Sequence, residues 1–449
     1  MRKWLFLMVC CVLPSLLWGQ NTSILGTWKG TLDTGNGTLD LYCTFVETEA
    51  GLAATMSVPA QGTYGIAIDR VSFDGMNLSL EIDALVMKYR GMLLMGTVAG
   101  TFAQYGMELP LSFVRGELPK LKRPQEPQRP FPYEEKDVTF RNERDGHTLA
   151  GTLTLPQVAD RAVGYDAIVL VSGSGAQNRD EELMGHKPFL LLADVLTRAG
   201  YAVLRYDDRG VGASGGVFET ATTEDFANDA RAAVAYLKQQ PNVRRVGILG
   251  HSEGASVAFL IAADTASEAT TCDFVISFAG PGVRGDEILL SQQRRIYTLS
   301  GVPSNQIEQQ LAANRLIYDR VLAASANDEA LRQELERVVG NPEVVQQLLS
   351  PWMYAFIRFS PQAALRQIRV PVLAFNGTKD AQVIWDLNLP AIESALKEAG
   401  NTHVSIVPLE GLNHLGQTCQ SGIPQEYAQI EETLASQVID TILSFLAGL

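Results

Sequence analysis

Residues 247–260 read "GILGHSEGASVAFL". Val246, Ile248 and Leu249 run in as an unbroken apolar stretch, the pattern of a strand buried on both faces. After Gly250-His251-Ser252-Glu253-Gly254 the chain turns at once to small, helix-tolerant residues. Glycines two places before and after a serine let a strand and the following helix pass closely around a strained turn. Such a joint either serves packing or displays a nucleophile. The pattern G-x-S-x-G is weak by itself in a glycine-rich chain, so its surroundings decide.

Those surroundings alternate strand and helix. "DAIVLVSGSG" at Asp166, "YAVLRYDD" at Tyr201, "DFVISFAG" at Asp273, "VPVLAFNG" at Val370 and "HVSIVPLEG" at His403 read as strands. Between them, "KPFLLLADVLTRAG", "TEDFANDARAAVAYLKQQ" and "NLPAIESALKEAG" read as amphipathic helices. Buried strands alternating with helices imply an α/β fold, a mostly parallel sheet with helices on both faces. "RDGHTLAGTLTLP" precedes it as a hairpin. From about 286 to 360 a Gln-, Leu- and Arg-rich interval, including "SNQIEQQLAANRLIYDRVL", predicts a helical cap inserted between two strands.

Upstream the period is two. Leu39, Leu41, Cys43 and Phe45 alternate with polar neighbours, as do Leu78, Leu80 and Ile82, with turn signals between. Residues 20–117 are therefore expected to form a small antiparallel β-domain, sandwich or barrel. Five prolines between Pro119 and Pro132 predict a stiff, extended linker over 118–132. The α/β domain then spans 133–449.

Arg2 and Lys3 followed by "WLFLMVCCVLPSLLWG" have the form of a signal peptide over residues 1–19. The run is broken by Pro14 and is short for a membrane span. An exported protein, periplasmic or extracellular, is expected. Removing it takes the formal charge from −14 to −16, a poor match for nucleic acid. Cys43, Cys272 and Cys419 remain, too few for a disulfide scaffold. There is no CxxC or HExxH spacing, so neither a metal nor a cofactor has sequence support.

A serine hydroxyl needs a base to take its proton, and the chain has five histidines. His147 lies in the hairpin, His186 at a helix start and His403 at a strand start. His251 is expected to point away from the turn. His414, in "PLEGLNHLGQ", follows the last strand on a glycine-flanked loop, where a base belongs. A carboxylate must orient that imidazole. Asp380, past Gly377 in "VPVLAFNGTKDAQV", is placed for it, with Asp386 and Glu410 as rivals better suited to turns and caps. The order Ser252, Asp380, His414 is that of α/β-hydrolases. An oxyanion hole needs two donors: the backbone N–H of Glu253, and one from "VSGSGAQNRDEE", where Ser174 is the choice and Gly175 the close alternative.

"GHSEG", "VSGSGAQNRDEE", "RYDDRGVGASGG", "NGTKDAQV" and "GLNHLGQ" together resemble the α/β-hydrolase superfamily, and within it the bacterial EstD-type serine carboxylesterases. The resemblance covers roughly residues 133–449. It implies Ser252 as nucleophile, Asp380 as acid and His414 as base, with the Ser174 and Glu253 amides around the oxyanion. Asp207, Asp208 and Arg209 are then expected to lock a loop rather than do chemistry.

The expected function is a secreted serine carboxylesterase acting on short-chain carboxylic esters through an acyl-enzyme. Trp352, Tyr354 and Phe356 could line its pocket or form cap core. The rival is a serine peptidase of the prolyl-oligopeptidase type, though about 90 residues of β-domain cannot build a propeller. A second rival places the function in the β-domain, as a glycan-binding or self-association module with Trp28 and Tyr64 as exposed platforms, though buried core is the commoner place for β-domain aromatics.

Overall fold

The period-two runs of the N-terminal segment become nine antiparallel strands: β1 Gly26–Asp33, β2 Thr38–Thr48, β3 Gly51–Val58, β4 Thr63–Ala67, β5 Arg70–Phe73, β6 Asn77–Ile82, β7 Met87–Leu94, β8 Thr97–Gln104 and β9 Met107–Arg115. The structure is a computed structural model that describes residues 24–35, 37–48, 51–61, 63–119, 122–157, 164–264, 267–325 and 328–449. The expected signal peptide lies outside the described residues. The chain divides into two units at residues 120 and 121.

In the first unit every strand pairs with its sequence neighbour except across β4 and β5, and β1 pairs β9. The order β4-β3-β2-β1-β9-β8-β7-β6-β5 is one continuous sheet rather than two packed ones. Its inward residues, among them Trp28, Leu41, Phe45, Leu80, Tyr89 and Phe113, form a single core. Trp28 shares the inward face of β1 with Gly30 and Leu32. Its ring is fully buried and its Nε1–H donates to the Ile24 carbonyl at 2.6 Å. Trp28 is therefore core, not an exposed platform; Tyr64 is half-buried.

The second unit contains eight strands: β10 Glu134–Asn142, β11 His147–Leu155, β12 Tyr165–Val171, β13 Ala202–Tyr206, β14 Val243–His251, β15 Phe274–Phe278, β16 Val372–Gly377 and β17 Val404–Leu409. Their order is β10-β11-β13-β12-β14-β15-β16-β17. The β10–β11 hairpin joins β13 antiparallel, and from β13 to β17 every pair is parallel. β12, "YDAIVLV", is buried at every position because helices cover both faces. On one side lie α2 Thr223–Lys238, α3 Glu253–Ala263 and α10 Trp385–Glu398, on the other α1 Pro188–Arg198 and α12 Ser436–Ala447, with numbering in chain order. A capping box, Thr222 with Asp225, starts α2.

Between β15 and β16 lie six helices: α4 Gly285–Leu299, α5 Ser304–Ala323, α6 Glu329–Val339, α7 Pro342–Leu348, α8 Pro351–Arg358 and α9 Gln362–Leu365. Asp328, Asn341 and Ser350 cap α6, α7 and α8 with their side-chain oxygens. Leu290, Ile307, Val321, Leu335, Val345 and Ile357 give this insertion an apolar core of its own. A short α11, Pro424–Tyr427, follows β17. No helix among the described residues is long and apolar enough to cross a membrane.

The proline-rich segment is not a free spacer over its described length. Arg123 donates to the carbonyls of Met184 (2.7 Å), Ala428 and Ile430 (both 3.0 Å). Gln125 accepts from the Thr433 and Leu434 amides and donates to the Leu434 carbonyl. Lys187 pairs with Glu126 at 2.8 Å. Nor is it extended throughout, as its prolines had suggested: the Glu126 N–H donates to the Arg123 carbonyl at 3.1 Å in a turn, and since proline offers no N–H, side chains fasten the segment within the second unit.

Candidate active site

The strand order reverses at β12, and ligands meet an open α/β sheet at the carboxyl ends of strands near such a point. The chain supplies four loops there, after β12, β14, β16 and β17. Ser252 follows β14 with φ 54° and ψ −119°, a conformation that side-chain-bearing residues rarely hold. The turn is pinned by the Ser252 N–H donating to the Phe278 carbonyl at 2.9 Å. Both glycines are sterically required. A Cβ at Gly250 would stand 2.1 Å from the Gly254 carbonyl oxygen, and one at Gly254 2.2 Å from that of Val171.

His414 and Asp380 meet in a buried pair, with His414 Nδ1 2.7 Å from Asp380 Oδ2. The other carboxylate oxygen accepts the amides of Gln382 (2.7 Å) and Val383 (3.0 Å), which fix its plane. The carboxylate paired with this histidine is that of Asp380, not of Asp386 or Glu410. Ser252 and His414 open onto one cavity of about 430 Å³, whose wall includes Gly173, Ser174 and Glu253, and from the insertion Trp352 and Phe356. The two aromatic rings stack at 5.2 Å. Tyr354 takes no part in that wall; its hydroxyl donates to the Ala324 carbonyl.

Three carboxylates hold the loop after β12. Glu181 accepts the Gly173 N–H at 2.8 Å, and the next residue, Ser174, lines the cavity. Asp208 accepts from Ser172 Oγ (2.8 Å) and the Gln177 amide (2.9 Å). Burial pushes the Asp208 carboxyl up to about 7 against those donors. Asp207 clasps Arg179 through its backbone and guanidinium. Arg209 instead pairs with Asp145 (2.8 Å) and Asp229 (2.6 Å). Asp145, His147 and Asp229 have metal-like proximity, but the Arg209 guanidinium already supplies the cation there.

Glu181 was not singled out by sequence, and its partner His251 departs from expectation. His251 does not turn away from the site. It is buried between Glu181 Oε1, 2.8 Å from its Nδ1, and the His414 carbonyl oxygen, 3.0 Å from its Nε2. Each ring nitrogen thus faces an oxygen that can accept a hydrogen bond, an arrangement that favours the doubly protonated imidazolium. Burial pulls its pKa down, but the Glu181 carboxylate outweighs that and the net direction is up. The pair joins the loop of Gly173 to the loop of His414. Its sequence signal was slight: a histidine inside an otherwise apolar strand end needs a buried partner, yet Glu181 is 70 residues away.

Cys43, Cys272 and Cys419 are free thiols.

Sheet order, the helices on both faces and a strained serine joint at the sheet's carboxyl edge define an α/β-hydrolase. A sequence model of the family described as serine aminopeptidase, S33, matches residues 187–415, and the chain belongs to that family. Esterase EstD of Thermotoga maritima is 28% identical over 377 residues, covering 82% of this chain and 76% of that protein. Similar solved structures include an esterase of Pyrococcus furiosus (18% identity, 70% of this chain and 91% of that one, TM-score 0.44). A proline iminopeptidase of Mycobacterium smegmatis is another (16% identity, 70% and 98%, TM-score 0.42).

Proposed function

We propose that the protein is an exported serine carboxylesterase that cleaves short-chain, uncharged carboxylic esters through an acyl-enzyme on Ser252. The observation that carries this reading is the buried 2.7 Å His414–Asp380 contact beside the strained serine turn, on one cavity. His414 Nε2 takes the Ser252 proton as Oγ attacks the ester carbonyl, and Asp380 holds the imidazole and offsets its positive charge. The backbone N–H groups of Ser174 and Glu253 receive the oxyanion. The intermediate collapses, the alcohol leaves with the proton from His414, and water, deprotonated by the same histidine, releases the acid.

The helical insertion acts as a cap. Its Ile288, Leu289, Trp352 and Phe356 line the cavity together with Leu183, Met184 and Val383, a wall suited to an alkyl or aromatic group. A peptidase that grips a substrate's amino terminus needs an acidic group to spare. The two acidic residues that line the cavity, Glu181 and Glu253, are both buried and engaged with protein donors. That favours ester over peptide among the family's chemistries.

The test is covalent. A fluorophosphonate probe is incubated with the protein, the adduct is located by mass spectrometry, and p-nitrophenyl acetate and butyrate turnover is assayed in parallel. Label on Ser252 with ester turnover, both lost in Ser252→Ala, is expected. Turnover that survives Ser252→Ala removes the serine from the mechanism. Cleavage of aminoacyl-anilides without ester turnover transfers the reading to a peptidase.

A further inference from the structure

We infer that the Glu253 side chain is a positioning residue that couples the helical insertion to the oxyanion donors; this rests on the serine-hydrolase reading above. Its backbone opens α3 directly after Ser252, while its carboxylate is almost fully buried. Three donors from three elements converge on that carboxylate. Ser174 Oγ–H donates to Oε2 at 2.7 Å, from the loop after β12. Thr223 Oγ–H donates to Oε1 at 2.6 Å, from the first turn of α2. Trp352 Nε1–H lies 3.1 Å and 3.0 Å from the two oxygens, from α8 of the insertion.

Among the described residues no lysine, arginine or histidine pairs with this carboxylate. Burying a carboxylate among neutral groups costs free energy, and burial pushes the Glu253 carboxyl up against its three donors. A glutamine there would present an NH2 to at least one donor and lose that contact. The acceptor-only carboxylate is the group that can hold all three at once.

The consequence lies in what those donors belong to. Ser174 carries one expected oxyanion N–H and Glu253 the other, so one side chain ties the two donors together. Trp352 is the cavity wall, stacked on Phe356. Seating of the insertion through Trp352 and the aim of the Ser174 amide are therefore one event. A substrate that lets Trp352 stay seated meets a formed oxyanion hole. One that displaces it loosens the hole as well as the wall.

Ser174→Ala keeps the backbone N–H and loses only the tether. Trp352→Phe keeps the ring and loses only the indole donor. Each is expected to slow fluorophosphonate labelling of Ser252 and kcat for p-nitrophenyl butyrate by about 10-fold. That is less than the ~100- to 1000-fold for deleting an oxyanion donor. KM should move less than about 3-fold. Because both act through one carboxylate, the double variant should lose much less than the product of the single losses, and Glu253→Gln should fall in the same range. Should Glu253→Gln fail to fold, the Ser174→Ala and Trp352→Phe cycle decides alone. Independent, multiplicative losses, an unchanged labelling rate in Ser174→Ala, or a Trp352→Phe effect confined to KM each overturn the coupling. Wild-type protein that takes no label overturns the serine-hydrolase reading and the coupling with it. Protein that labels without ester turnover still tests the coupling through the labelling rate.

Discussion

Gly254→Ala separates a glycine kept for packing from one on which catalysis depends. The added methyl would stand 2.2 Å from the Val171 carbonyl oxygen and 2.6 Å from that of Ser172, where ordinary contact begins at 3.4 Å. Both obstacles are backbone, so no side chain can swing aside. Helix α3 must retreat from β12 by about 1 Å, and it carries Ser252 and the Glu253 amide at its start. The displaced carbonyls lead straight into Gly173 and Ser174. A misplacement of about 1 Å costs on the order of 100-fold in rate, equivalent to about 2.7 kcal/mol of transition-state stabilisation. Overpacking adds a stability loss of about 1–3 kcal/mol. Gly301→Ala is the control: its φ is +75°, with open space around it. It should cost about 1 kcal/mol of backbone strain and leave kcat alone. Initial rates on p-nitrophenyl butyrate with urea unfolding read both quantities. A folded Gly254→Ala protein within threefold of wild-type kcat/KM refutes the argument.

Asp380→Asn should keep the fold, because an amide oxygen can still accept from Gln382 and Val383. Its NH2 then faces His414 Nδ1 and drives the ring proton to Nε2, where the serine proton must go; kcat should fall about 10⁴-fold, and a loss under tenfold would sink the assignment. His186 is buried against Thr433 and the Tyr427 carbonyl, and burial with the nearby Arg123 pulls its pKa down to about 4. The unfolded chain therefore binds its proton first. The stability contribution is whole above pH 6.5 and is lost as pH falls toward 4, by about 3 kcal/mol. The difference between wild type and His186→Gln in urea titrations across that range measures it, and parallel pH curves count against it. His251 has the opposite sign. Its raised pKa makes its contribution whole below about 6.5 and lost as pH rises through the folded value. Breaking the pair with His251→Gln should cost about 3–5 kcal/mol at pH 6; an unchanged urea midpoint there contradicts the buried imidazolium.

Sequence periodicity locates most elements because a buried parallel strand and an amphipathic helix write different rhythms. Hence β12 to β17, the hairpin and the helical interval are legible by eye. Ser252, Asp380 and His414 are legible because each sits just past a strand, and the strands' carboxyl ends share an edge. The pair Glu181–His251 is not, because nothing local ties two residues 70 positions apart. The same holds for Trp352, whose indole reaches Glu253 across 99 positions. Trp28 could have been placed from the alternation alone, since Trp28, Gly30 and Leu32 fall on one face. The proline-rich segment misleads for a physical reason. Proline content reports backbone stiffness, whereas docking depends on Arg123 and Gln125 finding carbonyls and amides more than 300 residues away.

That docking changes where the molecule can be divided. Trimming the chain at Tyr133, the point suggested by composition, would strip Arg123 from Met184, Ala428 and Ile430 and Gln125 from Thr433 and Leu434. Met184 and Tyr427, next to those anchors, belong to the cavity wall. The severable piece thus begins about a dozen residues earlier, and any exchange of N-terminal modules that preserves the hydrolase must carry this segment with it as the hydrolase's own leading edge.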